Sequence, residues 1–105
     1  MLKDLVKQAF EHAAEEAPRE SCGLIVDDNQ YIKMENISED RDSFKMDDKL
    51  FALLQLQRKI SYVVHSHYGE DSKPSKHDID NCNAIRIPYL IVSYPDKEYS
   101  IIKPC

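Results

Sequence analysis

Two histidines one residue apart, His65 and His67, follow the run Ile60-Ser61-Tyr62-Val63-Val64, whose β-branched and aromatic residues predict a buried strand. A strand repeats every two residues, so both imidazoles point to one face while Ser66 points to the other. Two imidazoles on one face can grip one metal atom. Zinc accepts histidine nitrogen and carboxylate oxygen at about 2.0–2.2 Å, and a catalytic zinc keeps three protein ligands and a water. A candidate third ligand follows in Pro74-Ser75-Lys76-His77-Asp78, which has the pattern of a helix start with Ser75 as N-cap and Asp78 at the third helical position. There the helix macrodipole favours an ionised carboxylate. A His-x-His pair alone describes ordinary half-buried strand residues equally well. The added Ser-x-x-Asp at fixed offset turns the balance toward a metal site.

The elements that must position these residues can be placed along the chain. Leu2, Val6, Phe10, Ala13 and Ala17 recur at helical spacing, so residues 2–16 predict an amphipathic helix that ends before Pro18, with His12, Glu15 and Glu16 on its solvated surface. Cys22 to Val26 predicts a strand, Asp27-Asp28-Asn29-Gln30 a turn, and residues 31–36 the returning arm of a hairpin. Residues 37–42 are expected to be a charged, solvated loop without function. Asp47-Asp48 then introduces a second helix over residues 49–58 with acids at its start and Arg58 at its end, its leucines expected in the core. After the histidines, residues 69–73 predict a flexible loop over the metal, and a third helix runs from Lys76 to about Ile85. Two apolar strands, 88–94 and 98–102, are joined by a turn at Pro95-Asp96-Lys97. The expected fold class is α/β, a mixed central sheet with helices on its faces.

The same residues resemble a known family. His65-x-His67, seven residues, then Ser75-x-x-Asp78, with Glu20 upstream in Pro18-Arg19-Glu20-Ser21-Cys22-Gly23-Leu24-Ile25, is similar to the signature of the JAMM (MPN-plus) zinc metallopeptidases. More narrowly, Glu20 to Ile25, Asn36-Ile37-Ser38, Phe44-Lys45-Met46 and Pro88 to Ser93 resemble the N-terminal domain of siphophage tail assembly proteins of the lambda K type. The likeness covers nearly the whole chain.

The resemblance implies a three-layer, cytidine-deaminase-like JAMM domain over residues 1–105 that hydrolyses peptide or isopeptide bonds with Zn2+ held by His65, His67 and Asp78. It implies Glu20 as general base, a role that residue type alone does not assign. A carboxylate is needed there to take a proton from water and deliver it to the leaving amine. Ser75 becomes a donor to the developing oxyanion, or only the helix cap. The implied substrate is a protein or peptide, a phage tail protein among the candidates. Family members usually carry proline after the second histidine, where this chain has Tyr68. The tail proteins usually continue into a cysteine-peptidase domain that these residues do not include. MPN relatives without ligands work as scaffolds, so the competing expectation is a tail-assembly or binding module whose metal site is structural or vestigial.

Composition bounds these expectations. A chain of 105 residues with 42% hydrophobic and 31% charged residues suits one globular domain. A net charge of −5 without a basic block disfavours nucleic acid as a partner. No apolar stretch reaches the length of a membrane span, and Met1-Leu2-Lys3-Asp4-Leu5 does not begin a signal peptide, so a cytoplasmic location is expected, with incorporation into a virion tail as a further option. Three cysteines without a C-x-x-C indicate neither a disulfide framework nor a cysteine zinc site. Cys22 and Cys82 could share the faces of Glu20 and Asp78 as redox-sensitive ligands, or be small buried hydrophobes. His77 is expected to face solvent or substrate.

Overall fold

The structure, a computed structural model, describes residues 2–40 and 43–105. Met1, Arg41 and Asp42, the last two in the expected charged loop, lie outside the described residues. The order of elements is α1 (Leu2–Glu16), β1 (Cys22–Val26), β2 (Gln30–Met34), α2 (Asp48–Gln57), β3 (Ile60–Tyr68), α3 (Lys76–Ile85), β4 (Tyr89–Tyr94) and β5 (Tyr99–Ile102). The strands form one sheet in the order β2-β1-β3-β4-β5. Only the β3–β4 pair is parallel, joined through α3, and the other neighbours run antiparallel. The mixed sheet with helices about it is the expected α/β architecture.

Alternation along the strands separates two cores. On one face Ile25, Tyr31, Val64, Leu90 and Val92 pack against Leu5, Val6, Ala9 and Ala13 of α1. On the other, Leu24, Val26, Met34, Val63 and Tyr89 pack with Met46, Ile87 and Cys82 of α3. Each face of the sheet is thereby removed from water, which is the main favourable contribution to folding. At Gly23 the ring of Tyr31 crosses so closely that a Cβ would stand 2.5 Å from its hydroxyl oxygen and 2.8 Å from the Ile32 carbonyl. Only glycine fits beneath it.

Two expectations are corrected. His12 is not solvated: Leu5, Ala9 and His12 share a helical face, and the imidazole is buried with Nδ1 2.6 Å from the Tyr31 hydroxyl. The α2 leucines are not core. Asp47 caps this helix through the Lys49 and Leu50 amides, yet no α2 residue is buried, and Leu50, Leu53 and Leu56 are all exposed. Only Phe51 and Leu54 reach the second core. They pack there beside Phe44, Met46 and, from α3, Cys82.

Candidate metal centre

β3 is longer than its apolar run: it carries through both histidines to Tyr68, so His65 and His67 stand inside a paired strand and not beyond its end. His65 lies opposite Cys22 on one side and Ile91 on the other, and His67 opposite Ser93. Both imidazoles project from the face of the second core. The chain then turns at Gly69, whose φ of +72° is the left-handed conformation that glycine adopts without cost, and whose N–H donates to the Tyr94 carbonyl. α3 begins beside the histidines in a reciprocal capping box. The Asp78 N–H donates to Ser75 Oγ at 3.1 Å and the Ser75 N–H donates to Asp78 Oδ2 at 2.9 Å. The cap fixes the Asp78 carboxylate against the strand.

The result is a cluster of three buried ligand-type residues, His65, His67 and Asp78, each offering an atom within 4.8 Å of the others. Asp78 Oδ1 is 2.9 Å from His65 Nε2, and Oδ2 is 3.2 Å from His67 Nε2. Glu20 reaches the same point from the segment before β1, with Oε1 3.5 Å from His65 Nδ1. Its approach is set by β3, since the Ser66 N–H donates to the Ser21 carbonyl and the Ser66 hydroxyl accepts from the Ser21 N–H at 2.7 Å. Ser66, pointing away from the histidines as strand alternation requires, is thus what brings Glu20 beside them.

Does this donor set fit a cation? Both ring nitrogens of His65 are buried and each faces a carboxylate, Nε2 toward Asp78 and Nδ1 toward Glu20. The neutral ring carries one hydrogen and can donate to only one of these carboxylates, so a cation at the other nitrogen would relieve the remaining contact. In His67, Nδ1 lies 2.9 Å from the Asp71 carbonyl, which can only accept, so Nδ1 carries the hydrogen and Nε2 of the neutral ring presents a lone pair to the Asp78 carboxylate. Two acceptors facing each other at 3.2 Å repel unless a positive charge lies between them. The same carbonyl contact orients the ring as metal-bound histidines are oriented. The His65–His67–Asp78 cluster could therefore hold a metal ion.

The electrostatics agree. Burial opposes protonation of His65, but the Asp78 and Glu20 carboxylates outweigh it and raise the group to about 9. His67 is raised in the same way, burial being outweighed by Asp78 and the Asp71 carbonyl. Burial would push Asp78 up, yet His65 and His67 hold its carboxyl far below the usual range. The pocket is organised for positive charge.

A cleft of about 300 Å3 opens onto the cluster, lined also by Glu20, Phe44, Ser75, His77 and, from the 69–73 loop, Glu70 and Lys73. His77 is exposed on its rim. Cys22 and Cys82 are buried in the second core, their thiols directed at the Met34 and Ile87 carbonyls, which fits small buried hydrophobes and not ligands. Residue types alone gave no role to Phe44 or Asn36. Phe44 stacks on the His65 ring at 4.5 Å between centroids. The Asn36 side chain donates to the carbonyls of Glu20 and Ser43 and accepts from the amides of Ser38 and Lys45, so it ties the Glu20 segment to the loop bearing Phe44. Arg19 donates to the Asn36 and Ser38 carbonyls of the same loop. The hint in the sequence was an asparagine, the residue most given to bonding nearby backbone, just past a strand.

Residues 2–102 match the family model for prokaryotic homologs of the JAB domain. The chain belongs to this JAB family. Over 108 aligned residues this JAB domain is 30% identical to the tail tip assembly protein K of Escherichia phage N15, covering 99% of the chain and 44% of that protein's length. The fold is similar to protein DSY2949 from Desulfitobacterium hafniense (TM-score 0.72, 23% identity, 94% of this chain and 77% of that one). It is also similar to AF2198, a JAB1/MPN domain protein from Archaeoglobus fulgidus (TM-score 0.65, 20% identity, 94% and 83%). No helix among the described residues of the JAB domain is long and apolar enough to cross a membrane.

Proposed function

We propose that residues 1–105 form a zinc-dependent JAMM-type peptidase domain acting on a peptide or isopeptide bond during phage tail assembly in the host cytoplasm. The observation that carries this reading is the convergence of His65, His67 and Asp78 on one point within a cleft, with Nε2 of both imidazoles turned toward the same carboxylate. These three residues would hold the zinc. When bound, it would supply Lewis acidity toward a carbonyl and lower the pKa of a water to about 7.

Glu20 is the general base. Its carboxylate is nearly buried, faces the cleft and stands beside His65, so it takes a proton from the attacking water and returns it to the leaving amine. The Ser75 hydroxyl has two uses that do not compete. A lone pair accepts the Asp78 amide, which leaves the O–H free to donate to the substrate oxygen as charge develops there. Phe44 covers His65 from one side and limits access of water to the pair. The partner is a tail protein or a peptide derived from one, as the name of the phage N15 relative supports.

The test is elemental analysis of the purified chain followed by cleavage of a peptide library. We expect about one zinc per chain, with Glu20→Gln abolishing cleavage while zinc stays near one equivalent. A wild-type chain that binds zinc without cleaving any member would instead favour an assembly module, and cleavage retained by Glu20→Gln would remove Glu20 from the mechanism.

A further inference from the structure

On the face of the sheet away from the metal cluster, α1 and the ends of β4 and β5 leave a second, larger groove of about 590 Å3. Its floor is aromatic, with Phe10 of α1 and Tyr94 and Tyr99 of the two strands. Tyr99 pairs with Val92 in register, which places it on the α1 side, and it is 51% exposed. Beside the groove, Tyr68 stacks on Tyr94 with their centroids 6.3 Å apart. The rim is cationic, with Lys3, Lys7 and Lys97 against a single carboxylate, Glu11.

Phe10 and Tyr94 also pack on the core beneath them, whereas Tyr99 is half exposed. None of the three lysines forms an ion pair among the described residues, so their charges face the groove unneutralised. Lys3 stands in the first turn of α1, where the macrodipole disfavours a cation. In a chain of net charge −5, three unpaired cations about one groove invert the local charge. Exposed aromatic surface rimmed by charge marks an interaction site.

We propose that this groove docks an acidic peptide segment of a partner protein. One apolar side chain of the segment seats between Phe10 and Tyr99, and its carboxylates align with Lys3, Lys7 and Lys97. A concave site suits an inserted side chain better than a flat bilayer. The rim glutamate and the acidic remainder of the chain oppose a polyanion longer than the groove. Because the groove and the metal cluster lie on opposite faces, both can be occupied together.

The test is an NMR titration of the intact chain with the acetylated, amidated peptide Glu-Glu-Leu-Phe-Glu-Glu, against the control Lys-Lys-Leu-Phe-Lys-Lys. Saturable shifts confined to residues of the groove are expected for the acidic peptide, weakening with salt. The double variant K7E/K97E should bind it about tenfold more weakly, two exposed ion pairs being worth that much at low salt, and should gain affinity for the lysine peptide. Tyr99→Ser keeps the lysines and removes an exposed part of the floor, and should weaken binding about fivefold through lost apolar contact. Absence of binding, shifts elsewhere, equal binding of the two peptides, or preferential binding of a thymidine oligonucleotide or of phosphatidylglycerol vesicles would each overturn the proposal.

Discussion

His12 and His65 are both buried histidines, on opposite faces of one sheet, and the protein treats them in opposite ways. His12 meets a single neutral partner, the Tyr31 hydroxyl, and its pKa is lowered, chiefly because burial penalises the cation. His65 is more deeply buried, yet two carboxylates beside it reverse the sign. Burial alone therefore does not identify a metal ligand. What distinguishes His65 is a carboxylate at each ring nitrogen where the neutral ring carries a single hydrogen, an arrangement that favours positive charge. The His12 pair, donor matched to acceptor, is complete as it stands and locks α1 to β2.

Three changes would break or sharpen the contrast. The largest effect is expected at Asp78. Asp78→Ala removes a candidate ligand and half of the capping box, and should weaken zinc binding at least about 100-fold in a chelator competition, beyond what loss of outer-shell support alone costs. His12→Gln should leave that affinity unchanged; a comparable loss there would mean that the two sites are not separate.

Next comes Gly23→Ala. The added methyl group would collide with the Tyr31 ring and the Ile32 carbonyl, so Tyr31 must move off His12. We expect about 2–3 kcal/mol of destabilisation in urea unfolding, as for other overpacked cores, with the zinc affinity of the folded fraction retained. A neutral substitution would show that the Tyr31 packing is looser than described.

The smallest effect concerns acidity in the metal-free chain. His65, raised from 6.5 to about 9, contributes stability that is full below about pH 6.5 and fades as pH rises toward 9. His12, lowered, contributes stability present above about 6.5 and lost as pH falls. Asp78, also lowered, loses its contribution only in stronger acid. With zinc chelated, stability should peak near pH 6.5 and drop on the order of 2 kcal/mol by pH 9.5. With zinc bound the alkaline loss should vanish and an acid loss replace it, because protons compete for the ligands. Unfolding free energies of the chelated chain that stay flat or rise from pH 6.5 to 9.5 would contradict the carboxylate-raised His65.

Much of this was written locally in the chain. The spacing of apolar residues and the caps place α1 and α3 at their observed bounds, because a helix depends on neighbours three and four apart. His65, His67 and Asp78 follow from the same short-range logic: a period of two in the strand and a fixed offset from Ser75 in the helix. The Glu20 role came from family resemblance alone.

What spacing could not decide was which surfaces meet. The leucines of α2 were expected in the core, but whether a helix covers a sheet depends on contacts between distant segments, and here only Phe51 and Leu54 reach it. His12 looked solvated until β2 delivered Tyr31 beneath α1, nineteen residues away in the chain. The pairing of Ser21 with Ser66 and the bonds of Asn36 bring Glu20 and Phe44 to the histidines across loops of no fixed period. Residue types and spacing determined which groups could act together, since those are matters of chemistry and short-range geometry. Only the tertiary structure decided which are buried and what faces them, since burial and charge depend on contacts between segments far apart in the chain.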